Sequence, residues 1–252
     1  MPLEFSADAL REIVRLVLAI RKDGECRIDV DEEQLRLRAC SEDKIAYLDY
    51  SLPTDAAVCS TDVVTGSYWV ELEGLDDLIR VGTTGEVSVA LPPETPNSRI
   101  ALQSGGLTYR FPALAEQLSH RVYDGFSTET RCECVLPNSV FDRAVKVADL
   151  IGPELQVQFD SVTQFVEFAA EGDKSQDAFS HSHAVRQPES VDNSVESLTV
   201  PVARLQDITP RVPAAMPVSL GIDTHYLTYQ TEGPVEGGDL TVYTAKRYGK
   251  IG

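Results

Sequence analysis

Two short spacings in this chain could do chemistry. Cys132 and Cys134 stand one residue apart, as do His181 and His183, and both residue types ligate zinc. A structural zinc site takes four ligands, and neither pair is accompanied by a second Cys or His pair at ligand spacing. The alternation Cys132, Cys134, Leu136 instead reads as one face of a strand, and His181 and His183 alternate in the same way along a strand of limited hydrophobicity. Ser180 and Ser182 adjoin the histidines, but neighbours along a strand do not assemble a nucleophile, a base and an orienting group. The sequence holds no Walker loop, GxGxxG, HExxH or GxSxG. Carboxylates are abundant, but abundance is not a catalytic pair. No enzyme, metal or cofactor is expected.

Composition narrows the class. The chain has 252 residues, 42% of them hydrophobic, which is ample for a globular core in one large domain or two ordinary ones. Forty acidic residues against 22 basic ones give a net charge of −18, with arginine the commoner base. Dense carboxylates of this kind hold hydration and solubility in a high-salt cytoplasm, and they argue against a simple phosphate-binding module. The start MPLEFSADAL does not read as a signal peptide, and no apolar run is long enough to span a bilayer. Five cysteines (Cys26, Cys40, Cys59, Cys132, Cys134) are an odd number, with Cys26 and Cys40 inside apolar patterns, as expected of a reducing, intracellular compartment.

The elements that must position these residues come in two copies. Ser6 caps an amphipathic helix over Ala7–Arg21, with Leu10, Ile13, Val14, Val17 and Ile20 as its buried stripe and Arg11 and Arg15 on another face. Strands are expected at Cys26–Val30, Gln34–Cys40 and Ile45–Leu52, a helix within Leu72–Gly82, then strands at Val87–Leu91, Arg99–Gln103 and Thr108–Leu114. A shift of 131 positions superposes Ala9–Ala39 on the segment ending at Ala170 without a gap: Leu10 falls on Phe141, Val14 on Val145, Ile20 on Ile151, Leu37 on Phe168. A register kept over about thirty residues implies two copies of one structural unit. The second copy has helices at Ser139–Ile151 and Val202–Arg211, with strands near Val218–Ile222, His225–Thr231 and Leu240–Thr244. Residues 115–131 have neither helical nor strand periodicity, so the division is an N-terminal domain over 1–114, a linker over 115–131 and a C-terminal domain over 132–252.

This α+β plan of helix, strands, helix, strands, written twice, resembles the archaeal and eukaryotic sliding clamps of the proliferating cell nuclear antigen (PCNA) family. The resemblance runs along essentially the whole chain, with echoes at Leu35–Leu52, Phe141–Gly152, Val166–Asp173 and the tail Ala245-Lys246-Arg247-Tyr248. The acidic surface looks most like a haloarchaeal clamp or a copy carried by a haloarchaeal virus. The resemblance implies the DNA-clamp fold, with three chains closed into a ring and duplex DNA passing through its hole. Arg11, Arg15, Arg80, Arg143, Lys146, Arg204 and Arg211, on the four helices, would then face phosphate. Arg15 and Lys146 occupy equivalent positions, whereas Arg11 matches Asp142, so the lining is irregular.

The resemblance further implies a pocket for short partner peptides at Cys40, Ile45, Val122, Tyr123, Phe126, Ala245, Lys246, Arg247 and Tyr248. The family pattern is departed from at Lys246, Tyr248, His225 and Gly125-Phe126. Its subunit contacts would bring Thr108, Tyr109, Arg110 and Phe111 against Phe179, His181 and His183 of the next chain, with Pro112 interrupting the ladder of the first strand. The expected partners are encircled duplex DNA, a DNA polymerase, a clamp loader and other proteins bearing the clamp-binding peptide, in a cytoplasm and without a membrane. A monomeric or inhibitory clamp relative, binding replication proteins without encircling DNA, is the alternative.

Overall fold

The computed structural model describes residues 2–57, 65–82, 85–92, 99–114, 130–160, 162–172, 177–185 and 195–246. They fall into two compact units. The first contains β1 (Pro2–Ser6), α1 (Ala7–Ile20), β2 (Glu25–Val30), β3 (Gln34–Cys40), β4 (Ala46–Pro53), the single turn α2 (Thr54–Ala57), β5 (Gly66–Glu71), α3 (Leu75–Gly82), β6 (Glu86–Ala90), β7 (Arg99–Ser104) and β8 (Leu107–Pro112). The second contains β9 (Cys132–Pro137), α4 (Asn138–Ile151), β10 (Glu154–Asp160), β11 (Phe165–Glu171), β12 (Ala178–Ala184), β13 (Val195–Pro201), α5 (Leu205–Ile208) with a 3-10 turn at Thr209–Arg211, β14 (Pro217–Ile222), β15 (Tyr226–Glu232) and β16 (Asp239–Ala245).

The two units share one topology. Strands follow the order β5-β2-β3-β4 and β1-β6-β7-β8 in the first, and β13-β10-β11-β12 and β9-β14-β15-β16 in the second. The shift of 131 carries α1 onto α4 and β3 onto β11 end to end. Each long helix buries its apolar stripe on the strands of its own unit. Leu10, Ile13, Val14, Val17 and Ile20 do so on α1, and Phe141, Ala144, Val145 and Ala148 on α4. Complete burial of a leucine, isoleucine, valine or phenylalanine side chain stabilises by about 1.5–3 kcal/mol, so these stripes fix which helix face stays in solvent. Phe141 stacks on Tyr229 at 5.6 Å and packs against Phe168 at 5.8 Å.

Chain direction changes at sites with identifiable causes. Ser6 Oγ accepts from Ala9 N at 3.1 Å and starts α1. After α1, Gly24 adopts φ +70°, and a Cβ there would lie 2.9 Å from Leu72 N, so only glycine fits the turn into β2. At the equivalent exit from α4, Gly152 is extended, but a Cβ would approach Glu171 O to 2.7 Å. Cys132, Cys134 and Leu136 are all buried on one face of β9, as their alternation predicts.

Several expected boundaries are corrected. The second helix begins at Leu75 rather than Leu72: Leu72 N donates to Gly24 O at 3.1 Å, and Gly74 stands at φ +76° before the helix. The span Val202–Arg211 is one α-turn over Leu205–Ile208 followed by the 3-10 turn, because Pro210 has no N–H to continue an α-helix. Helix α4 starts at Asn138, and Asn138 is spent on tertiary hydrogen bonds rather than on capping. Strand β1 is additional to the expected elements. The linker residues 115–129, with Val122, Tyr123 and Phe126, lie outside the described residues, as do Cys59, Arg247 and Tyr248.

Candidate nucleic-acid interface and partner surfaces

Most of the basic residues expected to face phosphate already hold a partner. Arg11 Nε donates to Asp76 Oδ1 at 2.6 Å, and Arg15 Nε donates to the same oxygen at 3.0 Å while its Nη1 reaches Glu12 at 2.7 Å. Asp76 comes from the first turn of α3, so this cluster ties α1 to α3 within the first unit. Burial opposes ionisation of Asp76, but the hydrogen bond from Arg11 and the charge of Arg15 outweigh it and hold the carboxyl below its usual range. Arg80 pairs with Asp77 at 2.9 Å, Lys146 with Asp142 at 2.6 Å, and Arg204 approaches Asp43 at 3.7 Å. Arg211 Nε donates to the Asp207 carbonyl at 2.9 Å. Arg143 is exposed on α4 and forms no ion pair among the described residues.

Charges on these faces nearly cancel. On α1 the two arginines are matched by Asp8 and Glu12, and on α4 Arg143 and Lys146 are matched by Asp142 and Asp149. In a chain of net −18, near-neutral helices mean that most of the negative charge lies elsewhere. Asp76 is the residue sequence reading missed here. Its position before an apolar helix stripe was visible, but its partners lie more than sixty positions away.

Each unit ends one of its sheets in a strand of distinctive character. Strand β8 is terminal in the first unit, paired on one side to β7, and exposes Leu107, Thr108, Tyr109 and Arg110 while burying Phe111. Tyr109 and Phe111 stack at 6.0 Å on the face shared with α3. Beside them Leu78, Val81, Leu102 and Leu107 line an apolar groove of about 480 Å³. Pro112 pairs with Arg99 at the end of the ladder, where its missing N–H is tolerated. In the second unit β12 is terminal, and Phe179, His181 and His183 form a row with ring centroids 6.5 Å apart. Helix α4, which packs on this sheet, leaves Leu150 86% exposed.

Three residues expected around the peptide pocket meet in the second unit. Ala245 N donates to Ile45 O at 2.7 Å, and Lys246 N donates to His225 O at 2.6 Å. Cys40 is half-buried at the end of β3, its Sγ donating to Ser41 O at 3.5 Å. Strands β2, β3 and β4 of the first unit also carry a charged lattice that sequence reading did not single out. Arg38 pairs with Asp29, Arg36 pairs with Asp49, and Arg27 lies over the Trp69 ring at 5.8 Å. Its signal was the alternation of arginine with leucine in Leu35–Arg38.

No protein-family model matches the sequence. The chain is 27% identical over 150 residues to the DNA polymerase sliding clamp of Natronomonas pharaonis, covering 59% of this chain and 60% of that one. It is 24% identical over 168 residues to that of Halobacterium salinarum, covering 67% and 66%. The matched segments thus span less than two thirds of these curated relatives. Among solved structures, A. fulgidus PCNA bound to the C-terminal region of FEN-1 aligns at TM-score 0.81 with 16% identity, covering 98% of this chain and 99% of that one. PCNA from Thermococcus kodakaraensis aligns at 0.77 with 15% identity and the same coverage. At such identity these structures establish the fold. Together the comparisons show a chain with the fold of the solved PCNA structures and a sequence similar to haloarchaeal DNA polymerase sliding clamps.

Proposed function

We propose that the chain is a sliding clamp, a non-enzymatic processivity factor that closes as a homotrimer around duplex DNA and tethers replication and repair proteins. The observation that carries this reading is the pair of terminal strands, β8 and β12, one on each unit of a fold that matches PCNA over 98% of the chain. Head-to-tail pairing of β8 with β12 of the next chain would remove both edges and close after three copies. The row Leu107, Tyr109, Phe111 would then extend the row Phe179, His181, His183, and the groove beside α3 would receive the next chain's Leu150. The domain reading is 1–114 and 132–252 joined by the linker 115–131. The four helices would line the hole, and the place of action would be an archaeal cytoplasm, or a host's for a viral copy.

A ring need not bind DNA tightly. Phosphate affinity falls steeply with salt, so in a molar-salt cytoplasm a few arginine contacts contribute little, while topology holds a closed ring on the duplex. Partner peptides would dock around Cys40, Ile45 and Ala245–Lys246, with Val122, Tyr123, Phe126, Arg247 and Tyr248 completing the pocket. A clamp-binding polymerase and a loader are the partners this predicts. The polar β12 edge favours a second reading, a monomeric or inhibitory clamp relative.

Sedimentation in molar KCl separates the two: the ring reading expects about three times 27.6 kDa, and a monomer at every salt concentration would replace it with the second. A family-B polymerase on primed circular DNA should gain processivity from the wild-type chain. The double variant Ile45→Ala, Tyr248→Ala should lose that gain while remaining trimeric.

A further inference from the structure

We propose that Asp76 is an attenuator of DNA contact, holding Arg11 and Arg15 in a neutral cluster so that the α1 face touches the duplex backbone weakly. The proposal rests on the reading that α1 faces DNA.

One carboxylate oxygen, Asp76 Oδ1, accepts the Nε–H of both arginines, at 2.6 and 3.0 Å, and Glu12 takes an Nη1 of Arg15 at 2.7 Å. Two guanidiniums therefore meet two carboxylates, and a phosphate brought to this face encounters no net charge. The arrangement differs from the local pairs of Arg80 and Lys146. Arg80 and Lys146 pair with acids three and four positions away on their own helices and stay 58% and 57% exposed. Such exposed local pairs are weak and yield readily to a phosphate. Arg11 and Arg15 are only 24% and 27% exposed, and their shared acceptor comes from a second helix that packs on α1. Asp76 also lies in the first turn of α3, where the helix dipole favours its charge. Phosphate must displace an acceptor that both arginines and its own helix stabilise.

The test is Asp76→Asn, a near-isosteric change that leaves the apolar α1–α3 contacts in place, measured beside Glu12→Gln and the pair Arg11→Gln, Arg15→Gln. Binding to a short linear duplex is followed over a KCl series in which sedimentation shows each protein in its wild-type oligomeric state. Asp76→Asn is expected to bind about fivefold tighter, the size of one unscreened unit charge a few ångströms from phosphate in water. Its slope of log affinity against log salt should steepen by about one, with Glu12→Gln giving a smaller change in the same direction. Placed in the Arg11→Gln, Arg15→Gln background, Asp76→Asn should give no gain. Unchanged or weaker binding by Asp76→Asn, or a gain that persists without the arginines, overturns the proposal. If the wild-type ring is nevertheless retained on circular DNA, only the attenuator is lost. Failure of every variant both to bind and to be retained overturns the clamp reading with it.

Discussion

Cys132 and Cys134 show how far a residue's surroundings outweigh its type. Their spacing admits a metal, but both sit on the buried face of β9, and burial pushes both thiols up to about 12. Burial raises the Cys26 thiol as well. These three should resist alkylation in the folded protein, while half-buried Cys40 reacts. Mass spectrometry after brief iodoacetamide treatment in molar KCl checks this, and label on Cys132 or Cys134 before unfolding would contradict their placement. That placement was legible in sequence because strand alternation is a local signal. The acceptor shared by Arg11 and Arg15 was not, because Asp76 reaches them only through the packing of two helices.

At the scale of elements, the repeat was the strongest signal in the chain. Helix α1 falls on α4 because each must bury an equivalent stripe against the equivalent strands of its own unit. The second helices were less legible, since Gly74 delays one and Pro210 cuts the other short. What replaces helix length in the second unit is a buried polar knot. Asn138 Nδ2 donates to Thr209 O at 2.9 Å and Val212 O at 2.8 Å, and Tyr229 Oη donates to Asn138 Oδ1 at 3.0 Å. Asn138→Ala strands two carbonyls and a phenol in the interior, and should cost about 3 kcal/mol in denaturant unfolding at constant salt. A loss under about 0.5 kcal/mol, the range of ordinary surface substitutions, would mean that the knot adds nothing to the hold of the 3-10 turn.

For the whole molecule, charge and fold pull in opposite directions. A chain of net −18 is a poor ligand for a polyanion, yet its fold matches that of chains named PCNA over 98% of its length. On the clamp reading enclosure would reconcile the two, because a closed ring would be kept on DNA by topology while near-neutral helices let it move. The proposed assembly was legible only as a resemblance, since its closure would depend on surfaces that a single chain leaves exposed: the β8 and β12 edges, the groove beside α3 and the Leu150 side chain. The most direct measurement of encirclement is retention on DNA before and after a cut. The protein is loaded onto nicked circular duplex in molar KCl, separated from free protein by gel filtration, and the circle is then linearised at one site. The clamp account predicts co-elution with the circle and rapid loss once ends exist. Retention that survives linearisation, or failure to co-elute with the circle after loading, would contradict it.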